Sequence, residues 1–140
     1  IHCTRLAGEK ADRWFLRQHP TILNIKFKPG VPRAEKNNAI DLYLQERLNK
    51  FEMENLKAAM VNVPPQLTYE QKREWLNKMK GVSLSSDGMI PFRDTIDRAH
   101  ESGVEYVLQP GGSIRDEDVI KACDDYGMVM AYSGVRLFQH

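Results

Sequence analysis

The chain has 140 residues, 41% hydrophobic and 28% charged, enough for one globular domain with a core and too few for two ordinary ones. Its 20 basic and 19 acidic residues are mixed along the chain, for a formal charge of +1, so no electrostatic footprint for nucleic acid or an anionic membrane stands out and a small-molecule ligand is expected. Cys3 and Cys123 lie far apart, and with no signal peptide or long apolar run they favour a reducing, cytoplasmic compartment.

The chain opens on Ile1-His2-Cys3, not on Met, and passes within a few residues into a helical pattern, so it reads as a fragment of a larger protein. Thr4 is a plausible N-cap for a helix over 5–19 that Pro20 stops. Leu6, Ala7, Ala11, Trp14 and Phe15 recur at helical spacing and predict a core-facing stripe. Residues 22–27 alternate apolar and polar and predict a short strand or extended loop, with Lys26 and Lys28 on its solvated side, ended by Pro29-Gly30-Val31-Pro32. A helix over 33–48 should bury Ile40, Tyr43, Leu44, Leu48 and Phe51, with a weaker continuation to residue 61. Pro64-Pro65 breaks the chain, and Thr68-Tyr69-Glu70-Gln71 has the spacing of a capping box that starts a helix to residue 80. Nothing between residues 33 and 80 carries recognisable chemistry.

From Gly81 the texture changes. Strands over 82–87, 104–108 and 128–132 alternate with helices over 92–102 and 114–126, the pattern of βαβ units around a largely parallel sheet, hence an α/β fold. Gly103 and Gly127 suit the residues just past the two helices.

Three stretches could carry chemistry. In residues 82–94 a strand, a glycine turn and a helix start surround Asp87, Arg93 and Asp94, where open α/β sheets place ligands beyond the carboxyl ends of their strands; an ordinary capped turn is the other reading. Gln109-Pro110-Gly111-Gly112-Ser113-Ile114 could bring backbone N–H groups to an anion or a polar ring edge, but Asp116, Glu117 and Asp118 in the next helical turn compete with a phosphate. At the C-terminus Arg136, Phe138 and His140 alternate with Leu137, so a guanidinium, a ring and an imidazole share one face of an extended segment, a set able to hold a nucleotide-like ligand. His2, Cys3, His19, His100 and Cys123 lack zinc spacings, the zinc-deaminase signature is missing, and there is no Gly-x-Ser-x-Gly elbow.

Taken together, residues 1–8 (Ile-His-Cys-Thr-Arg-Leu-Ala-Gly), 85–88 (Ser-Ser-Asp-Gly), 91–94 (Pro-Phe-Arg-Asp), 109–116 (Gln-Pro-Gly-Gly-Ser-Ile-Arg-Asp) and the ending Arg136-Leu137-Phe138-Gln139-His140 resemble the C-terminal part of the AICAR formyltransferase domain of the bifunctional purine biosynthesis family, whose other domain is IMP cyclohydrolase. The matched segments run in the same order from Ile1 to His140 and match less clearly around 45–65. The resemblance implies a cytidine-deaminase-like three-layer α/β/α fold without zinc, of which this chain is a partial second copy, helical over 1–80 and site-bearing over 81–140. It implies transfer of the formyl group of 10-formyltetrahydrofolate to AICAR ribotide, on the way to IMP, by a cytoplasmic homodimer that binds neither nucleic acid nor membrane. Position by position, it implies that Met89, Arg136 and Phe138 hold AICAR ribotide, that Ile1, Asp94, Ser113 and Ile114 touch the folate, that His140 lies close to the chemistry, and that Asp87 and the Leu137 carbonyl bind a structural potassium ion. Met89-Ile90 departs from the two phenylalanines frequent in the family, and Gln139 from its His or Arg. The family's Lys-His proton-transfer pair, with an Asn and an Arg for AICAR, belongs upstream of Ile1, so the isolated chain is expected to be inactive and to need its upstream half. A nucleotide-binding βαβ module, or a structural or dimerisation piece, is the alternative reading.

Overall fold

The computed structural model describes residues 1–138; Gln139 and His140 lie outside the described residues. Two compact units form, one from residues 13–75 and the other from residues 1–12 with the chain from Leu76 onward.

The first unit is helical. Helix α1 (His2–Leu16) contributes its last turn, followed by α2 (Pro20–Leu23), α3 (Arg33–Tyr43), α4 (Lys50–Ala59) and α5 (Tyr69–Leu76). Leu16, Ile22, Ala39, Tyr43, Leu44, Leu56, Ala59, Met60 and Leu67 are buried in it. Tyr43 donates its hydroxyl to the Pro65 carbonyl at 2.6 Å, and Gln66 Nε2 donates to the carbonyls of Tyr43 and Gln45 at 3.0 and 2.9 Å, which ties the Pro-Pro connection to the end of α3. Burial pushes the Tyr43 phenol above its ordinary pKa.

Several expectations are corrected here. Of the short strand or extended loop expected over 22–27, the first two residues belong to α2, because Pro20 fits the first helical turn and His19 Nδ1 accepts from Thr21 N at 3.1 Å as its cap. Extended pairing is confined to one antiparallel bridge between Phe27 and Met60, flanked by hydrogen bonds from Lys28 N to Ala59 O and from Val61 N to Lys26 O. The helix expected over 33–48 stops at Tyr43, and what reads as its weak continuation is a separate helix: Asn49 and Glu52 form a reciprocal capping box that starts α4. Phe51, expected inside, is 73% exposed. The α1 stripe also fails in part, since Leu6 and Trp14 are exposed while Phe15 stacks on Trp75 at 5.4 Å between ring centroids. The Thr68–Gln71 capping box forms as expected, with both hydrogen bonds present.

The second unit is the α/β part. Strands β1 (Val82–Ser85), β2 (Val104–Gln109) and β3 (Val129–Tyr132) form a parallel sheet in the order β1-β2-β3, connected through α6 (Asp94–Glu101) and α7 (Asp116–Asp125). Ile96 and Ala99 of α6 and Val119, Ala122 and Cys123 of α7 pack with Ile90, Val104, Val107 and Met128 as one core. Burying such side chains supplies the main driving force, about 1.5–3 kcal/mol for each large one. Gly103 ends α6 at φ +74°, where a Cβ would run into the Met79 carbonyl, so the reversal into β2 requires glycine.

One polar cluster ties α1 to α6. Asp12 accepts from Arg98 Nη2 at 3.0 Å and from Ser102 Oγ at 2.7 Å, and Arg98 Nη1 donates to Ser102 Oγ at 2.7 Å. The Arg98 and Asp12 side chains are each only 14% exposed, and the Arg98 guanidinium occupies the space that a Cβ on Gly8 would need. Helix α1 is therefore pinned to α6 at Asp12, with Gly8 in close approach. No described helix is long and apolar enough to cross a membrane.

Asn49→Ala is expected to cost about 1 kcal/mol through the lost cap, and Ile96→Ala about 2–5 kcal/mol through the lost core contacts, both read from urea denaturation midpoints.

Candidate functional site

Parallel strands bring their carboxyl ends to one edge, and the loops that leave them wall a cavity of about 510 Å³. That volume is in the range of small-molecule sites. Its first wall is the turn after β1, from Ser86 through Pro91. Ser86 N donates to the Leu108 carbonyl at 2.9 Å, and Ser86 Oγ donates to the Gly88 carbonyl at 2.7 Å, closing the turn on itself. The second wall is Pro110-Gly111-Gly112 after β2, where Gly111 at φ +77° lies against the Tyr132 ring and a Cβ would come within 2.9 Å of it. The third is the segment after β3. Ser133 N donates to the Gln109 carbonyl at 2.8 Å, the chain turns at Gly134, and Leu137 N and Phe138 N both donate to the Asp87 carbonyl at 2.9 and 3.2 Å. Ile1, Cys3 and Thr4, at the start of α1, close the fourth side.

Among the residues expected in a site, Ile1, Asp87, Met89, Arg136 and Phe138 line this cavity together. The Arg136 guanidinium carbon lies 5.7 Å from the centroid of the Phe138 ring, the shared face expected from alternation. The segment that carries them is not a strand, however. Regular pairing ends at Tyr132, because Gly134 takes a left-handed turn and Ser133 Oγ bonds within the turn to Val135, so backbone bonds to Asp87 replace sheet pairing. Leu137 is outside the cavity and 71% exposed, with its backbone beside Asp87. His140 lies outside the described residues.

Asp94, Ser113 and Ile114 fall outside the main cavity. Asp94 opens α6 and lines a separate hollow of about 380 Å³ with Arg5, Glu9 and Arg98; Ile1 lines both hollows. Ile114 stands fully exposed on the turn before α7. The expected competition at the glycine turn is realised: Asp116 accepts from Gly112 N at 2.8 Å and from Ser113 N at 3.1 Å, so its carboxylate already takes the N–H groups an anion would need. Ser113 Oγ accepts from Arg115 N at 3.1 Å, and the Arg115 guanidinium lies 5.2 Å from the Phe92 ring centroid.

Sequence reasoning assigned no role to Ile90, Gln109 or Thr95. Gln109 is fully buried, Ile90 and Thr95 nearly so, and Thr95 and Ile90 line the cavity. The sequence signal for Gln109 was weak, its position two residues after Val107, because Glu105 on the same parity of β2 is exposed.

A second charged cluster lies outside the cavity. Asp97 accepts from Arg93 Nη2 at 3.0 Å, Arg93 Nε at 3.2 Å and the Tyr126 hydroxyl at 2.8 Å. These bonds, the Arg93 ones foremost, hold the Asp97 carboxyl below its usual range and raise the Arg93 guanidinium; the Asp97 bond also raises the Tyr126 phenol. His100 stacks on Tyr126 at 4.1 Å. Among the described residues no group of three or more His, Cys, Asp or Glu side chains could hold a metal ion. No family model matches the chain.

Two outcomes follow from these contacts. Because the folded Asp97 pKa is depressed, its contribution to stability is present above the unfolded carboxylate value and is lost as pH falls through the folded one. The melting temperatures of wild type and Asp97→Asn are therefore expected to differ most at neutral pH and to converge below about pH 4. Burial pushes the Cys123 thiol up, while Cys3 is exposed, so iodoacetamide is expected to label Cys3 at least about 100-fold faster in the folded chain, and both alike in urea.

Proposed function

We propose that this chain supplies one wall of the active site of a formyltransferase that moves the formyl group of 10-formyltetrahydrofolate to the 5-amino group of AICAR ribotide. The observation that supports it is the convergence of Arg136, Phe138, Met89 and Ile1 on one cavity, although they are as far apart in sequence as Ile1 and Phe138. The family resemblance links those same residues to the two substrates. The finer fold that goes with this reading is the cytidine-deaminase-like three-layer arrangement, used here as the partial second copy of a homodimeric parent.

In this reading Arg136 anchors the ribotide by charge-assisted hydrogen bonds and Phe138 packs against its base, while Met89 contacts AICAR through its backbone. The folate lies over Ile1, the residue common to both hollows, and reaches Asp94, whose carboxylate accepts from donor groups of the pterin. The amine nitrogen attacks the formyl carbon, the bond from that carbon to folate N10 breaks, the amine loses a proton and N10 gains one. Residues of this chain mainly hold both substrates in reacting geometry, and His140 orients polar groups at the centre. Proton transfer falls to the Lys-His pair expected upstream of Ile1. A potassium ion would take Asp87 and the Leu137 carbonyl as ligands. The hydrogen bond from Leu137 N to the Asp87 carbonyl brings those two residues side by side, and together they would supply two oxygen ligands of a larger set.

A nucleotide-phosphate site at the glycine turn is disfavoured, since Asp116 occupies the Gly112 and Ser113 N–H groups.

The test is formyl transfer by the protein that carries this chain, with Arg136→Ala and Asp94→Ala compared in parallel. Each substitution is expected to lower kcat/KM at least about 100-fold, or about 2.7 kcal/mol of transition-state stabilisation. A folded wild-type protein without transfer would overturn the reading, and active variants would overturn the roles given to the two residues.

A further inference from the structure

Gln109 is the last residue of β2, fully buried in the α/β unit, and it touches each of the three loops that follow the strands. Its Oε1 accepts from Ile90 N at 2.8 Å, which ties down the first wall. Its backbone carbonyl accepts from Ser133 N at 2.8 Å, where the third wall departs, and the next residues in the chain are the second wall. The side-chain amide has one orientation that serves Ile90, because only its oxygen can accept, and that orientation sends Nε2 toward Met130 Sδ at 3.2 Å. Met130 is itself backed by the buried Cys123 thiol, at 3.9 Å between sulfurs.

This amide does not reach the cavity surface, so packing alone does not explain a polar group here. An apolar residue of equal length would fill the space, whereas Ile90 N–H, on a residue 3% exposed, would then lose its acceptor. We infer that Gln109 is the positioning residue of the cavity, fixing the height of the Ser86–Pro91 turn against the segment that bears Arg136 and Phe138. Without its hydrogen bond, Ile90 and the Met89 side of the turn would lose their tie to the end of β2, while the Asp87 carbonyl would keep its bonds from Leu137 N and Phe138 N and the sheet beneath would remain. The consequence for catalysis rests on the formyltransferase reading; the consequence for the loop does not.

Two measurements separate these. Amide hydrogen exchange is read first, for wild type, Gln109→Met and Met130→Leu, the last keeping core volume while releasing the Nε2 side of the amide. The Ile90 amide is expected to exchange at least about 100-fold faster in Gln109→Met and about tenfold faster in Met130→Leu, with Val107 in the strand unchanged in Met130→Leu. Ile90 protection equal to wild type in both variants, or in Met130→Leu if Gln109→Met does not fold, would overturn the assignment. Steady-state formyl transfer by the protein that carries this chain is read second, with Val119→Ala as a core-destabilised control away from the cavity. Gln109→Met is expected to raise the KM for AICAR ribotide at least about tenfold with a smaller change in kcat, while Val119→Ala keeps the wild-type KM below its unfolding temperature. Equal KM effects in both would reduce Gln109 to a stability residue and overturn the inference. Absence of transfer in wild type would remove the formyltransferase reading and leave the exchange result to decide the role of Gln109.

Discussion

The constraint on which the rest depends is the parallel pairing of β1, β2 and β3. In the register Tyr106 opposite Val129 and Leu84 opposite Val107, all three strands end at one edge, so the loops after Ser85, Gln109 and Tyr132 must emerge side by side. Antiparallel pairing would send them to opposite edges. The cavity is thus a product of topology before any side chain is chosen. Hydrogen bonds from Ser86 to Leu108, from Ser133 to Gln109 and from Leu137 and Phe138 to Asp87 then stitch neighbouring loops together, converting three separate turns into walls.

The helical start of the chain joins this unit through charge. The Asp12, Arg98 and Ser102 cluster is largely shielded and fully hydrogen-bonded, the situation in which a pair holds geometry at some cost in desolvation. By pinning α1 to α6 it delivers Ile1, Cys3 and Thr4 to the cavity. Arg93 and Asp97 form a more exposed pair nearby, and its bonds to Asp125 and Tyr126 join α6 to the end of α7.

Much of the α/β half was legible because its signals are local and agree with one another. Valine-rich strands, helices of opposite period and glycine just past each helix all specify the same βαβ order, and Gly103 and Gly127 take the positive φ expected of them. The helical half was less legible. Pro20 reads as a stop, yet it also fits the first turn of a new helix, and Asn49 with Glu52 was hidden inside a pattern that periodicity alone extends from α3. Phe51 and Trp14 have helical spacing but face outward, since periodicity identifies a face without saying what covers it. At the site, alternation correctly paired Arg136 with Phe138 while suggesting a strand that Gly134 prevents. Gln109 reads in sequence as the start of a motif, but its partner Ile90 lies across the fold, a relation that one-dimensional spacing does not carry.

The most direct test of the central account is a binding map. Backbone amide resonances of this chain, within the protein that carries it, would be followed during titration with AICAR ribotide and then with a non-reactive 10-formyltetrahydrofolate analogue. The account predicts that the ribotide shifts Met89, Arg136 and Phe138 and that the folate analogue adds shifts at Ile1–Cys3 and Asp94, with Asn38 and Asn55 of the helical unit unmoved. Ribotide shifts centred instead on Gly112 and Ser113, or no saturable response from the folded protein that carries this chain at millimolar ligand (about 4 kcal/mol of binding or less), would contradict it.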